Sequence, residues 1–174
     1  MQTDNPVVKD HIITLDRFPH LTEDQSLSDA VEVIKSYTDG SRELLRYREI
    51  LILDAGNRLV GRVTMQDIIL GIDPRFTGLA KVNKFEGKKP DATSLVILWE
   101  DSFFEECSKR RTKKIIDFMS PIKLTIRSSE SLLKTLAIML SVNETVLPVV
   151  DDSRVLGVIR MEEIFKAITS RCKL

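Results

Sequence analysis

The chain says one thing twice. Ile52 to Ile68, reading ILDAGNRLVGRVTMQDI, returns as Val149 to Ile164, VVDDSRVLGVIRMEEI, with one residue dropped in the turn. Self-similarity of this kind fixes the fold reading before any local signal does. The copies agree at Gly61 and Gly157, at Met65 and Met161, and at Ile68 and Ile164, which are backbone and packing positions. They disagree at Thr64 against Arg160 and at Asp67 against Glu163, which are polar.

The same elements can be read in each copy. Ser26, with Asp29 three residues on, caps a first helix whose stripe is Leu27, Ala30, Val31 and Ile34. In the second copy Ser131 opens a helix carrying Leu132, Leu136, Met139 and Leu140, and Leu133 and Ala137 broaden its apolar face. Apolar runs at 50–53 and 146–150 predict buried strands, and Pro148 favours an edge or a strand start. Turn residues at 54–57 and 151–153 join them to partner strands at 59–63 and 155–159. A second helix follows at Thr64-x-x-Asp67, and its counterpart spans Met161 to Ile168. Short extended pieces at 18–21 and 123–126 precede the first helices. Each copy therefore reads strand, helix, strand, strand, helix, an α/β (α+β) arrangement.

Three segments follow: a first repeat over 1–72, a connector over 73–114 with a helix at 93–110, and a second repeat over 115–174. The first copy holds extra residues between its first helix and middle strand, Ser36 to Arg48. These are expected to extend the helix and add a turn.

The chain is 174 residues, 43% hydrophobic and 30% charged, with a net charge of zero. That suits a soluble, cytoplasmic protein and argues against a general nucleic-acid binder, which needs a basic excess. No apolar run reaches the roughly 20 residues of a membrane helix. The chain start has no signal-peptide pattern. Cys107 and Cys172 form no CxxC pair, and His11 and His20 have no partners at zinc-ligand spacing. No nucleophile–base pair, Walker motif or GxGxxG is present, so an enzyme is not expected. One basic run, Lys109 to Lys114, reads either as a solvated helix end or as a patch for nucleic acid, lipid phosphate or an acidic partner.

The duplicated order of elements, with Gly61-Arg62-Val63-Thr64-Met65-Gln66-Asp67 at a strand-to-helix junction, resembles a CBS domain pair, or Bateman module. Phe118-Met119-Ser120-Pro121 resembles the opening of such a repeat. The resemblance implies two repeats packed with pseudo-twofold symmetry and two clefts between them. It implies an adenosine-containing ligand: AMP, ADP or ATP first, S-adenosylmethionine as another. It also implies a homodimer and a regulatory role toward a protein partner.

The residues offer such a ligand several groups. Thr64 stands at a helix N-terminus, where free amides favour anions. Asp67 accepts hydrogen bonds and so suits a ribose diol. By resemblance Pro19, His20 and Leu21 present backbone to an adenine edge, Gly61 belongs to the motif, and Ile50 and Val63 cover the base. Arg46 and Arg48 are phosphate candidates or a solvated basic turn. In the second copy Arg160 is a phosphate candidate or an ion-pair partner of Glu162 or Glu163. Glu163 and Thr125 are further candidates. Thr64 and Asp67 also make a complete capping box with no ligand. The asymmetry predicts one site near the family pattern and one altered or empty. The alternative is a ligand-free scaffold for dimerisation or protein docking.

Overall fold

The computed structural model describes residues 5–39, 44–81 and 100–172. A short strand, β1 (Ile13–Thr14), comes first. The first repeat then runs β2 (His20–Thr22), α1 (Leu27–Ser36), β3 (Thr38–Asp39), β4 (Leu44–Leu45), β5 (Glu49–Leu53), β6 (Leu59–Thr64) and α2 (Met65–Ile72). A 3-10 helix, Pro74–Lys81, and α3 (Glu100–Arg110) lie between the repeats. The second repeat contributes α4 (Leu132–Val142), β7 (Val146–Asp151), β8 (Arg154–Arg160) and α5 (Met161–Cys172).

Each repeat builds a three-stranded sheet. In the first, β2 runs parallel to β5, and β5 is antiparallel to β6. In the second, β7 and β8 are antiparallel and the opening strand shrinks to one parallel bridge, Ile126 to Val149. β7 is the last named strand of that sheet, and Ile126 covers its outer side: the Pro148 carbonyl accepts from the Ile126 amide at 2.9 Å. The turn at Asp152 and Ser153 places both residues at positive φ, 46° and 65°, the geometry of a tight hairpin. Thus the fold is α/β with tandem strand-helix-strand-strand-helix repeats.

Apolar residues of the strands alternate between layers, so both sheet faces are buried. Ile50 and Ile52 face the α1 and α2 side with Leu27, Ala30, Ile34, Val63 and Ile68. Leu51 and Leu53 point the other way and meet Val155 and Val158 of the second repeat, with Phe18 and Tyr47. The second repeat's own core gathers Ile126, Leu132, Met139, Leu147, Val149, Ile159 and Ile164.

The segments leading into the repeats are exchanged. β1 pairs with β8, so Ile13 faces Val158 and Thr14 faces Gly157. Reciprocally, Ser120 bridges Arg62 of β6, with amide–carbonyl bonds of 2.8 and 2.9 Å in both directions. The Leu132 amide donates to Pro6, and the Leu27 amide to Lys113. Val8 is fully buried in the second repeat's core, and Ile115 in the first's. The divisions 1–72 and 115–174 follow chain order; the packing crosses them where each repeat begins. Both motif glycines lie under these crossings. A Cβ on Gly61 would stand 2.6 Å from the Met119 sulfur, and one on Gly157 would overlap the Ile13 carbonyl.

Three local expectations change, and one lies partly outside the described residues. The extra residues of the first repeat do not lengthen α1, which ends at Ser36; they contribute the β3–β4 pair instead. Tyr37 and Thr38, an aromatic and a β-branched residue, favour extended backbone there. The connector helix is described from Glu100 to Arg110, and its expected start at 93 lies outside the described residues. α5 continues four residues past Ile168, because its interior holds no Gly or Pro to stop it. On α4, Leu133 and Leu140 are exposed, 65% and 68%, so the wide stripe is only partly used within the chain.

Candidate functional site

The cap geometry of α2 is complete without a ligand. The Thr64 amide donates to Asp67 Oδ2 at 2.7 Å, the Thr64 hydroxyl donates to the same oxygen at 2.8 Å, and the Asp67 amide donates back to Thr64 Oγ1 at 3.1 Å. This is the reciprocal capping box that the S/T-x-x-acid pattern encodes. Around it the charge is mostly acidic. Glu49 faces Thr64 across the β5–β6 pair, and Arg62 lies between Glu49 and Glu144, 3.8 Å from the first and 2.8 Å from the second.

At the corresponding end of the second repeat the box is replaced by an ion pair. Arg160 Nε donates to Glu163 Oε2 at 2.8 Å and Nη2 to Oε1 at 2.6 Å, a bidentate fork. Glu162 stands 3.9 Å away on the third nitrogen. The Arg160 guanidinium also lies over the Tyr47 ring of the first repeat, 5.3 Å from its centroid. Arg46 lies over Tyr47 at 5.4 Å. Two cations on one aromatic face system are held by its quadrupole.

Beside this cluster a cavity of about 840 Å³ opens between the repeats. The first repeat lines it with Phe18 and the run Leu45 to Glu49. The second lines it with Thr145, Val146, Arg160, Met161, Glu162, Phe165 and Lys166. Its charged lining is therefore Arg46, Arg48, Arg160 and Lys166 against Glu49 and Glu162. Tyr47 is 3% exposed, packed against Phe18 and Tyr37, with ring centroids 4.8 and 5.4 Å away. Its hydroxyl is buried and has no hydrogen-bond partner among the described residues.

Burial pushes the Glu49 carboxyl up to about 7; Arg62 opposes that rise, while Glu144 and Asp67 add to it. Arg62 comes only within 3.8 Å of Glu49, because its Nη1 and Nη2 are both forked onto Glu144. A second cavity, about 200 Å³, lies on the Arg62–Glu144 side and is lined by Lys123, Leu124 and Pro148 among others.

Of the twelve nominated residues, Arg48 and Arg160 line the larger cavity, and the other ten line neither cavity. Ile50 and Val63 are fully buried in the first repeat's core, and Leu21 nearly so. The Pro19 carbonyl accepts from the Leu51 amide at 3.0 Å, and His20 Nδ1 lies 2.9 Å from the Phe18 carbonyl. Gly61 is covered by Met119 and Ser120. Thr64 and Asp67 cap α2, Glu163 holds Arg160, and Thr125 is exposed. Phe18, Tyr47, Glu49 and Lys166 are site residues the sequence reading missed. The alternation Arg46-Tyr47-Arg48 just ahead of β5 was the available signal: it buries the ring and leaves both cations exposed. Among the described residues no group of three or more His, Cys, Asp or Glu could hold a metal ion. No helix among them is long and apolar enough to cross a membrane.

The CBS domain model matches residues 8–73 and 115–170, which is most of the chain. No curated protein matches it. Among solved structures, the CBS-pair protein CBSX2 from Arabidopsis thaliana is similar at TM-score 0.67 and 19% identity, over 98% of this chain and 99% of that one. CBSX2 in complex with AMP is similar at TM-score 0.63 and 20% identity, over 95% and 97%. The CBS domain pair of protein MJ0100, in complex with 5'-methylthioadenosine and S-adenosyl-L-methionine, is similar at TM-score 0.60 and 19% identity, over 96% and 98%.

Proposed function

This chain belongs to the CBS domain family, and on that footing we propose that it is a regulatory CBS-pair protein holding an adenine nucleotide in the 840 Å³ cavity between its repeats. The single observation that carries this reading is the cavity's composition. Four cations and three aromatic residues, Phe18, Tyr47 and Phe165, line one space of nucleotide size. Arg46, Arg48 and Lys166 would take the phosphates, and Arg160 would exchange Glu163 for one of them. AMP, ADP or ATP suits this charge; S-adenosylmethionine, whose sulfonium is cationic, suits it less. The AMP bound to CBSX2 supports the class of ligand. No catalytic step is assigned to the site.

Regulation would follow from linkage. A ligand touching both repeats favours one arrangement of them, and a protein partner that prefers that arrangement reads its presence. A second copy of the chain is the proposed companion in a cytoplasmic homodimer, since Ile69, Leu133, Leu140 and Phe165 leave apolar helix surface exposed. Sedimentation showing a monomer at all concentrations would overturn the dimer.

The test of the ligand is calorimetry with AMP, ADP, ATP and S-adenosylmethionine. Binding of the nucleotides, lost with Arg48→Ala plus Arg160→Met, is the expected result. Absence of heat with all four at millimolar concentration would favour the second reading, a ligand-free scaffold. That reading has its own observation: Thr64 with Asp67, and Arg160 with Glu163, already satisfy one another.

A further inference from the structure

Glu49 stands where the cavity and the inter-repeat ion pair meet. It lines the cavity together with Arg48 and the second repeat's Val146, and its carboxylate lies 3.8 Å from Arg62. Val146 is its counterpart in the second copy: Glu49 faces Thr64 as Val146 faces Arg160. The first repeat thus puts an ionisable group where the second puts an apolar one. We propose that Glu49 couples anion binding to proton uptake, gaining a proton when an anion enters the cavity and losing it when the anion leaves. This rests on the cavity being the nucleotide site and concerns how that site is regulated.

The charged groups around Glu49 come from every neighbouring element. β6 supplies Arg62, α2 supplies Asp67, and the turn before β7 supplies Glu144. Its own segment supplies Arg46 and Arg48; the end of β8 and the start of α5 supply Arg160, Glu162 and Lys166 to the same cavity. Arg62 is committed elsewhere, forked onto Glu144 at 2.8 and 2.9 Å. Glu49 therefore keeps a carboxyl that burial has brought to about 7, so both its forms are present near neutrality. An ionised Glu49 repels a phosphate placed among the cavity's arginines; a protonated one does not. By linkage, an anion that raises the proton affinity of Glu49 about tenfold binds about tenfold tighter to the protonated form.

The test is AMP calorimetry on the full chain, wild type and Glu49→Gln, from pH 6 to pH 8. AMP's own phosphate ionises near pH 6, but equally for both proteins, so the ratio of their affinities is the readout. The expected ratio, Glu49→Gln over wild type, is near one at pH 6 and climbs to about fivefold at pH 8, toward a limit of about tenfold. A ratio that stays constant overturns the coupling. A carbon-detected NMR titration of the wild-type Glu49 carboxyl, with and without AMP, keeps the test independent of the variant's folding. Its midpoint should move upward with AMP, and an unmoved midpoint also overturns the coupling. Failure of the wild type to bind AMP at any pH overturns the cavity reading instead, and the coupling with it.

Discussion

Arg62 of the first repeat grips Glu144 of the second through both terminal nitrogens of its guanidinium, Nη1 and Nη2, at 2.9 and 2.8 Å. Arg62 takes the place that Val158 holds in the second copy, opposite β5 as Val158 is opposite β7. A largely apolar inter-repeat layer thus carries a polar tie. Both side chains are about one-fifth exposed, so the pair lies between a surface bridge and a buried one. Glu144→Ala is expected to destabilise the fold by about 2 kcal/mol, with a coupling to Arg62 of about 1 kcal/mol. Urea denaturation in a double-mutant cycle measures both, and a coupling near zero would make the pair a solvated contact.

Glu49 gives stability its own pH dependence. Burial raises its folded-state pKa from 4.5 to about 7, so the native state binds the proton more tightly than the unfolded chain does. Its contribution is complete below the ordinary carboxyl range and is lost as pH rises through about 7. The loss amounts to as much as about 3 kcal/mol between those limits. Asp29, Asp54 and Asp151, held low by hydrogen bonds, act in the opposite sense in acid. The stability difference between Glu49→Gln and wild type isolates the first effect. It should grow from pH 5 to pH 8, and a flat difference would remove Glu49 as the cause.

Gly157 and Gly61 should not be equally replaceable. Gly157 has φ of 154°, a backbone that side chains rarely adopt, and its Cβ would overlap backbone of the exchanged β1. Gly61 meets mainly the flexible end of Met119, with the Ser120 carbonyl at 3.0 Å. Gly157→Ala is expected to cost at least about 2 kcal/mol and Gly61→Ala about 1 kcal/mol. Amide exchange at Ile13 and Thr14 should quicken only in the first. Equal costs would mean that β1 shifts away without penalty.

The two capping positions should separate stability from binding. Thr64→Ala removes a cap and is expected to cost about 1 kcal/mol. It should change AMP affinity less than about twofold, a small effect beside the roughly 1–3 kcal/mol of a lost charged hydrogen bond. Arg160→Met should weaken AMP about tenfold or more. A large loss of affinity in Thr64→Ala would return the site to the α2 end.

Much of the fold was legible in local chemistry. Ser26 with Asp29 and Thr64 with Asp67 encode their caps within four residues, and the apolar runs at β5 and β7 encode burial on both faces. The exchange of the lead-in segments was not legible. Val8 and Ile115 are apolar residues before a repeat, and nothing in their neighbourhood says whose core they join. The cavity was half legible. Arg48 and Arg160 are charged residues at strand ends and stood out as such. Their meeting depends on Arg160 stacking over Tyr47 of the first repeat and on Arg62 pairing with Glu144, long-range facts that no spacing carries.

The exchanged lead-in of β1 also orders events during synthesis. Ile13 and Thr14 are made about 140 residues before Arg154 opens the strand they join, an interval on the order of 10 seconds at translation rates. Through that interval they have no native edge to pair with, and an unpaired strand is a template for wrong partners. Ser120 suffers no such delay, because Arg62 is already made when it appears. The nascent chain therefore closes its first sheet early and its second only after β8 is complete, and a ribosome stalled before Arg154 holds a protein with one finished half and one loose end.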